Sequence, residues 1–266
     1  MIKRMPVLFV GHGSPMNAIE DNNYSRAWSA LGEKLPRPTA ILSISAHWFG
    51  RGTKVNDSPT PAMVYDMYGF PEELYRLQYP APGSMELAHR VRQLIGEFVT
   101  IDNNWGIDHG SWSVLHRVFP KADIPIVQLS INALLTPAEH YEIGQRLRAL
   151  RDEGVLIFGS GNIVHNLSRV DWRMHDGQPW AEAFDQYIHD AIFSGAHDKV
   201  MSYSQMEDAA QLSVPSLDHF APIFYVLGAS DADDKVSVFN ADCTLGSMSM
   251  TSYLFEPKQE GKNQRK

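Results

Sequence analysis

The sequence contains a single cysteine, Cys243, among 266 residues. One cysteine excludes a disulfide scaffold and suits a reducing compartment. Basic residues are also scarce, since 23 lysines and arginines stand against 31 aspartates and glutamates, a net charge of −8. Such a chain lacks the positive surface that nucleic acid binding requires. Because no run of 18 apolar residues occurs either, we expect no membrane association and a soluble, cytoplasmic protein, a monomer or small homo-oligomer.

Several familiar catalytic motifs are missing as well. The sequence has no CxxC pair, no Walker phosphate-binding loop, no EF-hand loop and no GxSxG nucleophile elbow. The glycines at 159 and 161 follow a predicted strand, but the third glycine and the spaced acidic residue of a dinucleotide site are absent. These absences exclude the commonest nucleotide-binding and serine-hydrolase sites.

Hydrophobic residues make up 44% of the chain, which is enough for a large buried core. Short apolar runs that are typical of buried strands alternate with amphipathic helical patterns. Strands are predicted at 6–10, 40–45, 125–130 and 155–159, and helices at 24–35, 85–98, 137–151, 180–193 and 217–227. This alternation predicts an α/β fold, with a central, mostly parallel sheet flanked by helices.

The remaining segments complete the predicted organisation. Residues 235–240 and 245–254 are expected to add antiparallel strands near the end of the chain. Residues 50–83 are rich in proline, glycine and tyrosine, and loops of that length are usually functional. We expect residues 1–255 to form a single catalytic domain, and the charged residues 256–266 to form a disordered tail.

Three of the eleven histidines follow the ends of predicted strands. His12 and His47 each come two residues after a strand, and His165 comes a few residues after another. Because open α/β sheets bind ligands at the carboxyl ends of their strands, these three imidazoles should converge on one rim. Buried imidazoles need a metal or a carboxylate to satisfy them. The pattern therefore predicts a metal site at the C-terminal rim of the strands.

Two further histidines, His109 and His219, stand at the starts of predicted helical segments. Taken alone, each is compatible with a structural role as well as with a site role. Residues 108–112 read DHGSW, and residues 215–220 read PSLDHF, so both histidines follow an aspartate directly. The spacing by itself does not assign either of them to the metal.

Four segments resemble the class III extradiol ring-cleavage dioxygenases, and the branch they most resemble is that of DOPA 4,5-dioxygenase (extradiol). They are LFVGHGSP at 8–15, SISAHW at 43–48, DHGSW at 108–112 and GSGNIVHN at 159–166. The resemblance extends over nearly the whole chain. It implies a single α/β domain with one divalent metal ion at the sheet rim.

The resemblance also implies roles for individual residues. His12, His47 and His219 match metal ligands, and His165 matches a position that is either a further ligand or the acid–base histidine. His109 matches a histidine of the substrate pocket and is a second catalytic candidate. Trp48 and Trp112, which flank these motifs, are predicted to wall the aromatic ring of a substrate, although core packing explains them equally well.

The implied reaction is the insertion of both atoms of O2 into a catechol. For 3,4-dihydroxyphenylalanine (DOPA), cleavage of the 4,5 bond gives a seco-DOPA semialdehyde. More distant protocatechuate enzymes use two histidines and a glutamate, whereas this chain supplies a histidine at the third position. Such a site suits Zn2+ in the isolated protein, while ring cleavage requires Fe2+.

Two other functions remain open from the sequence. A zinc-dependent hydrolase of a small amide or ester would use the same histidines, with a zinc-bound hydroxide. A metal-storage or sensor protein would need no substrate position. Oxygen uptake with a catechol separates the first alternative from a dioxygenase.

Overall fold

The computed structural model describes residues 3–96 and 98–258. The strands are β1 (Val7–Gly11), β2 (Ala40–Gly50), β3 (Lys54–Val55), β4 (Thr100–Ile101), β5 (Ile126–Asn132), β6 (Val155–Gly161), β7 (Lys235–Phe239), β8 (Cys243–Thr244), β9 (Met248–Ser249) and β10 (Ser252–Glu256). The α-helices are α1 (Asn23–Lys34), α2 (Glu72–Arg76), α3 (Met85–Ile95), α4 (His109–Val118), α5 (Pro137–Leu147), α6 (Pro179–Phe193), α7 (His197–Met201), α8 (Glu207–Ser213) and α9 (Pro222–Ala229).

The main sheet has the strand order β4-β3-β5-β2-β6-β1-β10-β7. Its four central strands, β5, β2, β6 and β1, are mutually parallel. Antiparallel pairing is found towards the edges, where β10 joins β1, β7 joins β10 and β3 joins β5. The chain is thus a single α/β domain with a mostly parallel sheet, as the sequence predicts.

Helices cover both faces of this sheet. Val7 and Phe9 of β1 face a core formed with α3, α5, α6 and α9. Leu8 and Val10, which point to the other side of the strand, face a core formed with α1 and α4. Burial on both faces explains why the central strands are almost continuously apolar.

The four predicted central strands are confirmed, and β2 extends five residues beyond its predicted end. The predicted strand 245–254 is wrong as a single element. Leu245 and Gly246 have φ angles of 54° and 75°, a left-handed turn that extended backbone cannot contain. The turn delays the first strand to β9, and Met250 and Thr251, which belong to no strand, separate β9 from β10.

Three predicted helices have different bounds. The predicted helix 217–227 begins only at Pro222, because residues 217–221 form turns in which Leu217 O accepts from two backbone N–H groups. The predicted helix 85–98 ends at Ile95, before Gly96 with its φ of 130°. The predicted helix 137–151 continues after Leu147 as a 3-10 helix, Arg148–Glu153.

Two other expectations concern irregular segments. After Gly50, the last residue of β2, residues 51–83 contain only the short elements β3 and α2, so the predicted long irregular segment is largely confirmed. Residues 259–266 of the expected tail lie outside the described part of the chain, whereas Glu256 still belongs to β10. In the part of the chain that the structure describes, no helix is long and apolar enough to cross a membrane.

Candidate metal centre

The carboxyl ends of β1 and β2 place the first two histidines side by side. β6 lies between these strands and pairs with both, through Gly11 opposite Gly161 and Ser45 opposite Ser160. His12 follows β1 directly. The pairing of β2 with β5 shifts register between Ile44 and Phe49, and His47 lies in that irregularity. His47 follows the alternation of β2, because Ser43 and Ser45 on the same face bond to Ser111 and Asp108 at the start of α4, and its ring therefore lies on the α4 side beside His12.

The start of α4 brings His109 to the same place. Asp108 caps this helix by accepting a hydrogen bond from Ser111 N at 3.2 Å. Gly110 allows the helix to approach β2, since a Cβ at this position would lie 2.6 Å from Ser45 Oγ and 2.8 Å from His47 Cδ2. A larger residue would push the helix start away from the bulge of β2.

His165 and His219 complete the group from the opposite side. His165 follows β6 and forms an isolated antiparallel bridge with Met248. His219 lies in the turn before α9, where its carbonyl oxygen accepts a hydrogen bond from Asn162 N at 2.8 Å. The rings of His165 and His219 stack with centroids 3.5 Å apart and planes inclined by 5°.

The five imidazole rings therefore share one rim of the sheet. The His219 ring centroid lies 5.2 Å from that of His12 and 5.1 Å from that of His47. The His47 and His109 centroids are 3.9 Å apart. The tightest group is formed by His12, His47 and His109. Each ring contributes one nitrogen, and these three nitrogens all lie within 4.8 Å of one another. This three-histidine cluster could hold a metal ion.

Hydrogen bonds on the outer side of the cluster determine which nitrogen carries the proton. Ser160 Oγ donates to Gly110 O and lies 3.0 Å from His12 Nδ1, so it accepts from that nitrogen. Asp66 Oδ2 lies 2.9 Å from His47 Nδ1, and Asp66 Oδ1 lies 3.0 Å from His109 Nδ1. Because a carboxylate only accepts, all three rings donate from Nδ1 and keep the Nε2 lone pair.

The arrangement fits a bound divalent ion. His12 Nε2 and His47 Nε2 face each other at 3.1 Å. Two facing lone pairs at this distance repel unless a proton or a metal ion lies between them, and imidazoles that bind one metal ion at about 2.0–2.1 Å have nitrogens about this far apart. Among the described residues, the buried His219 Nδ1 also has no hydrogen-bond partner, although Asp218 Oδ1 is 3.3 Å away. Metal-binding histidines commonly donate their second nitrogen to such outer partners.

Burial keeps most of these rings neutral, which is the form that binds a metal. Burial, together with the neighbouring His47, lowers the pKa of His12 well below its usual value, and burial lowers the pKa of His219 similarly. Burial also lowers the pKa of His165 to about 4. For His47, burial opposes protonation, but the hydrogen bond to Asp66 and nearby carboxylate charges outweigh it and raise the pKa.

The carboxyl group of Asp66 is held in its charged form. Burial acts to raise the pKa of Asp66, but the hydrogen bonds from His109 and His47 lower this pKa well below its usual range. A permanent negative charge beside the two Nδ1 atoms holds a proton on each of them and directs both Nε2 lone pairs towards the cluster. Asp66 therefore makes His47 and His109 better donors to a cation.

The structure brings together every histidine that the sequence singled out, but it groups them differently. The tightest group contains His109, which the resemblance places in the substrate pocket, instead of the predicted ligand His219. Trp48 is 8% exposed and stacks on Trp105. Trp112 is fully buried, and its indole N–H donates to Val64 O at 3.0 Å. Contact of either tryptophan with a substrate stays a prediction.

Sequence reasoning missed Asp66 and gave no role to Ser160. Asp66 lies in the 50–83 segment, whose length and irregularity pointed to function without identifying a residue. Ser160 belongs to the quoted GSGN motif, but only the pairing of β6 with β1 and β2 places its hydroxyl beside His12. Neither contact could be found by spacing along the chain.

Comparisons with known proteins agree with this geometry. Residues 7–256 match the family described as the catalytic LigB subunit of aromatic ring-opening dioxygenase. The chain is 47% identical over 255 residues to a 4,5-DOPA dioxygenase extradiol of Escherichia coli (strain K12), covering 94% of each protein. It is 38% identical over 254 residues to the protein of the same name in Beta vulgaris, covering 93% of this chain and 95% of that protein.

A solved structure has the same fold. The crystal structure of an uncharacterized protein from Escherichia coli K12 superposes with a TM-score of 0.83 at 43% identity, covering 94% of this chain and 99% of that one. The matched family model extends over nearly all described residues, including the five clustered histidines. The chain is similar to proteins named 4,5-DOPA dioxygenase extradiol, and it is a ring-cleavage enzyme that belongs to the LigB family of aromatic ring-opening dioxygenases.

Proposed function

We propose that this protein cleaves a catechol ring by inserting both atoms of O2, with DOPA as the substrate and the 4,5 bond as the bond cut. The product would be a seco-DOPA semialdehyde. The observation that carries the proposal is the histidine cluster at the sheet rim, with its Nδ1 atoms held from outside, in a chain that is 47% identical to a 4,5-DOPA dioxygenase extradiol.

His12, His47 and His219 would hold one divalent metal ion, with His165 beside them. Two observations support this set: the facing nitrogens of His12 and His47, and the unpartnered, buried Nδ1 of His219 among the described residues. Fe2+ in this position would supply redox chemistry between the catechol and O2, whereas Zn2+ would bind to the same imidazoles without that capacity. We therefore propose Fe2+ for turnover and Zn2+ as the ion of the isolated protein.

His109 is suited to take a proton from a catechol hydroxyl. Its Nδ1 donates to Asp66, so the lone pair of Nε2 is the one directed at the cluster. An imidazole that is oriented by a carboxylate on its far side is a common general base. His109 would thus hold the hydroxyl proton at Nε2 while the catechol binds.

His165 is the second residue suited to proton transfer. Its ring stacks on His219, and burial lowers its pKa to about 4, so it is neutral at neutral pH. A neutral imidazole accepts one proton and returns it later, which ring opening requires. The two catalytic roles proposed for the cluster are therefore proton acceptance at His109 and proton exchange at His165.

The proposed walls of the substrate position are aromatic. Trp48 follows His47 directly and stacks on Trp105 with centroids 6.3 Å apart, which favours packing against a flat ring. Trp112 meets the edge of the His109 ring at 6.5 Å. Its complete burial supports a role in holding His109, with Trp48 nearer to the substrate.

In the decisive experiment the protein is loaded with Fe2+ without oxygen, and oxygen is then added to parallel samples that contain DOPA, protocatechuate or caffeate. We expect oxygen uptake and a yellow product with DOPA, and no metal-dependent uptake by His12→Ala. Oxygen uptake with a different catechol would retain ring cleavage but overturn DOPA as substrate. No uptake with any catechol, together with amide or ester hydrolysis by the Zn2+-loaded protein, would establish the hydrolase instead.

A further inference from the structure

We infer that Asp66 is a positioning residue that holds His47 and His109 in one tautomer each, so that both Nε2 lone pairs face the cluster. This inference rests on the proposed function, because it assigns the outer support of that same site. Asp66 touches neither the proposed metal position nor a substrate position. It would act only through the two imidazoles.

Both carboxylate oxygens of Asp66 are engaged in this way. Oδ2 lies 2.9 Å from His47 Nδ1, and Oδ1 lies 3.0 Å from His109 Nδ1. Oδ1 also accepts a hydrogen bond from the backbone N–H of His109 at 3.0 Å. One side chain thus sets the proton positions of two rings that come from different elements, the bulge of β2 and the start of α4.

The segment that carries Asp66 is tied firmly to the start of α4. Val64 N donates to Ile107 O at 2.8 Å, and Trp112 Nε1 donates to Val64 O at 3.0 Å. On the other side of Asp66, the Tyr65 hydroxyl donates to Leu77 O at 2.6 Å. These bonds hold the backbone around Asp66 in place. Its carboxylate therefore already lies against the two rings before a metal ion binds.

An asparagine at this position would have a specific chemical consequence. Its amide has one accepting oxygen and one donating NH2 group, so it can accept from only one of the two Nδ1 atoms. The other ring would have to accept from the NH2 group at Nδ1 and carry its proton on Nε2. A protonated Nε2 neither binds a metal ion nor accepts a proton from a substrate.

This consequence separates a positioning role from a structural one. Asparagine has nearly the same shape as aspartate, so a residue that only fills space tolerates Asp66→Asn better than Asp66→Ala. If Asp66 sets the tautomers, Asp66→Asn is at least as damaging as Asp66→Ala, because the amide imposes the wrong proton position and alanine imposes none. The order of the two variants is therefore the measured quantity.

The test titrates the metal-free wild type, Asp66→Asn and Asp66→Ala with Co2+ and follows the visible absorption of the bound ion. We expect Asp66→Asn to bind Co2+ about 10–100-fold more weakly than the wild type and no more tightly than Asp66→Ala. Asp57→Asn is the matched control: it lies in the same segment, but its carboxylate accepts from the Asn103 side chain at 2.8 Å. We expect this control to bind Co2+ like the wild type.

Affinity in Asp66→Asn that is close to wild type, or clearly above that of Asp66→Ala, would overturn the inference. Urea unfolding of each variant shows whether it is folded. Should Asp66→Asn fail to fold, long-range proton–nitrogen NMR of the metal-free wild type reads the tautomers directly, and protons on Nε2 of His47 or His109 would overturn the inference. A wild type that binds no Co2+ would instead refute the proposed function, so the two failures are distinguishable.

Discussion

The histidines of the rim differ in what holds their outer nitrogens. His12 has a serine hydroxyl and His47 shares the Asp66 carboxylate with His109, whereas the nitrogen of His219 at 3.3 Å from Asp218 makes no hydrogen bond among the described residues. His109 is oriented by a carboxylate, as a general base commonly is, whereas no hydrogen bond occupies Nδ1 of His219 among the described residues. This difference separates the two candidates for the third ligand, His109 and His219.

Replacing each of these two residues distinguishes their roles. We expect His219→Ala to lose the bound metal, because it removes a ligand, and His109→Ala to retain it while catechol turnover falls steeply. Metal content by atomic absorption, measured beside turnover of the Fe2+-loaded protein, checks both statements. Retained metal in His219→Ala together with lost metal in His109→Ala would make His109 the third ligand and would remove its role as a base.

Four of the helices, α1, α3, α4 and α5, begin at a side-chain cap. At the start of α5, Thr136 Oγ1 accepts from Glu139 N at 3.3 Å, and Glu139 Oε2 accepts from Thr136 N at 2.7 Å. Pro137 occupies the first helical turn, where a missing N–H costs nothing. This helix packs on α9 where Gly144 approaches Gly228. A Cβ atom added to either glycine would lie 3.0 Å from the Cα of the other, which is too close for a side chain.

Removing this cap should cost stability without affecting the site. We expect Thr136→Ala to lower the free energy of unfolding by about 1 kcal/mol, because it leaves the backbone N–H of Glu139 without its side-chain acceptor. The change is measured by urea unfolding, with Thr136→Ser as the control that keeps the hydroxyl. Unfolding free energies that are equal in all three proteins would show that the cap contributes nothing measurable.

The stability of the whole molecule depends on the helix layers that pack on both faces of the sheet. A buried histidine, His140, lies within one of these layers. His140 of α5 is fully buried, with its Nδ1 2.8 Å from the Tyr225 hydroxyl of α9. Among the described residues, its Nε2 has no hydrogen-bond partner. Burial lowers the pKa of His140 to about 4, since a charged ring would be poorly solvated there.

This burial makes global stability depend on pH. An unfolded histidine has a pKa of about 6.5, so between about pH 6.5 and 4 the unfolded chain takes up a proton that the folded chain refuses. The contribution of His140 is fully present above pH 6.5 and decreases by about 3 kcal/mol as the pH falls towards 4. Urea unfolding across this range should show a shallower pH dependence for His140→Gln than for the wild type. Parallel curves would contradict the pKa shift of His140.

The sequence alone determined the features that depend on neighbouring residues. Short apolar runs set the central strands, and the Thr136–Glu139 pair set the start of α5, because a pattern within one strand or a hydrogen bond within one turn needs only local residues. The convergence of His12, His47 and His165 was also predictable, since parallel strands end at the same rim. Where a bound was wrong, as at Leu245 and Gly246, a left-handed turn outweighed the apolar pattern.

Only the tertiary structure decided which groups orient these histidines. Asp66 is 43 residues from His109 in the chain, and Ser160 is 148 residues from His12. No periodicity connects such pairs, because their proximity arises from the packing of the 50–83 segment against the start of α4 and from the pairing of β6 with β1. A hydrogen bond across this separation exists only once the intervening chain has folded, and proton positions at the candidate metal centre depend on it.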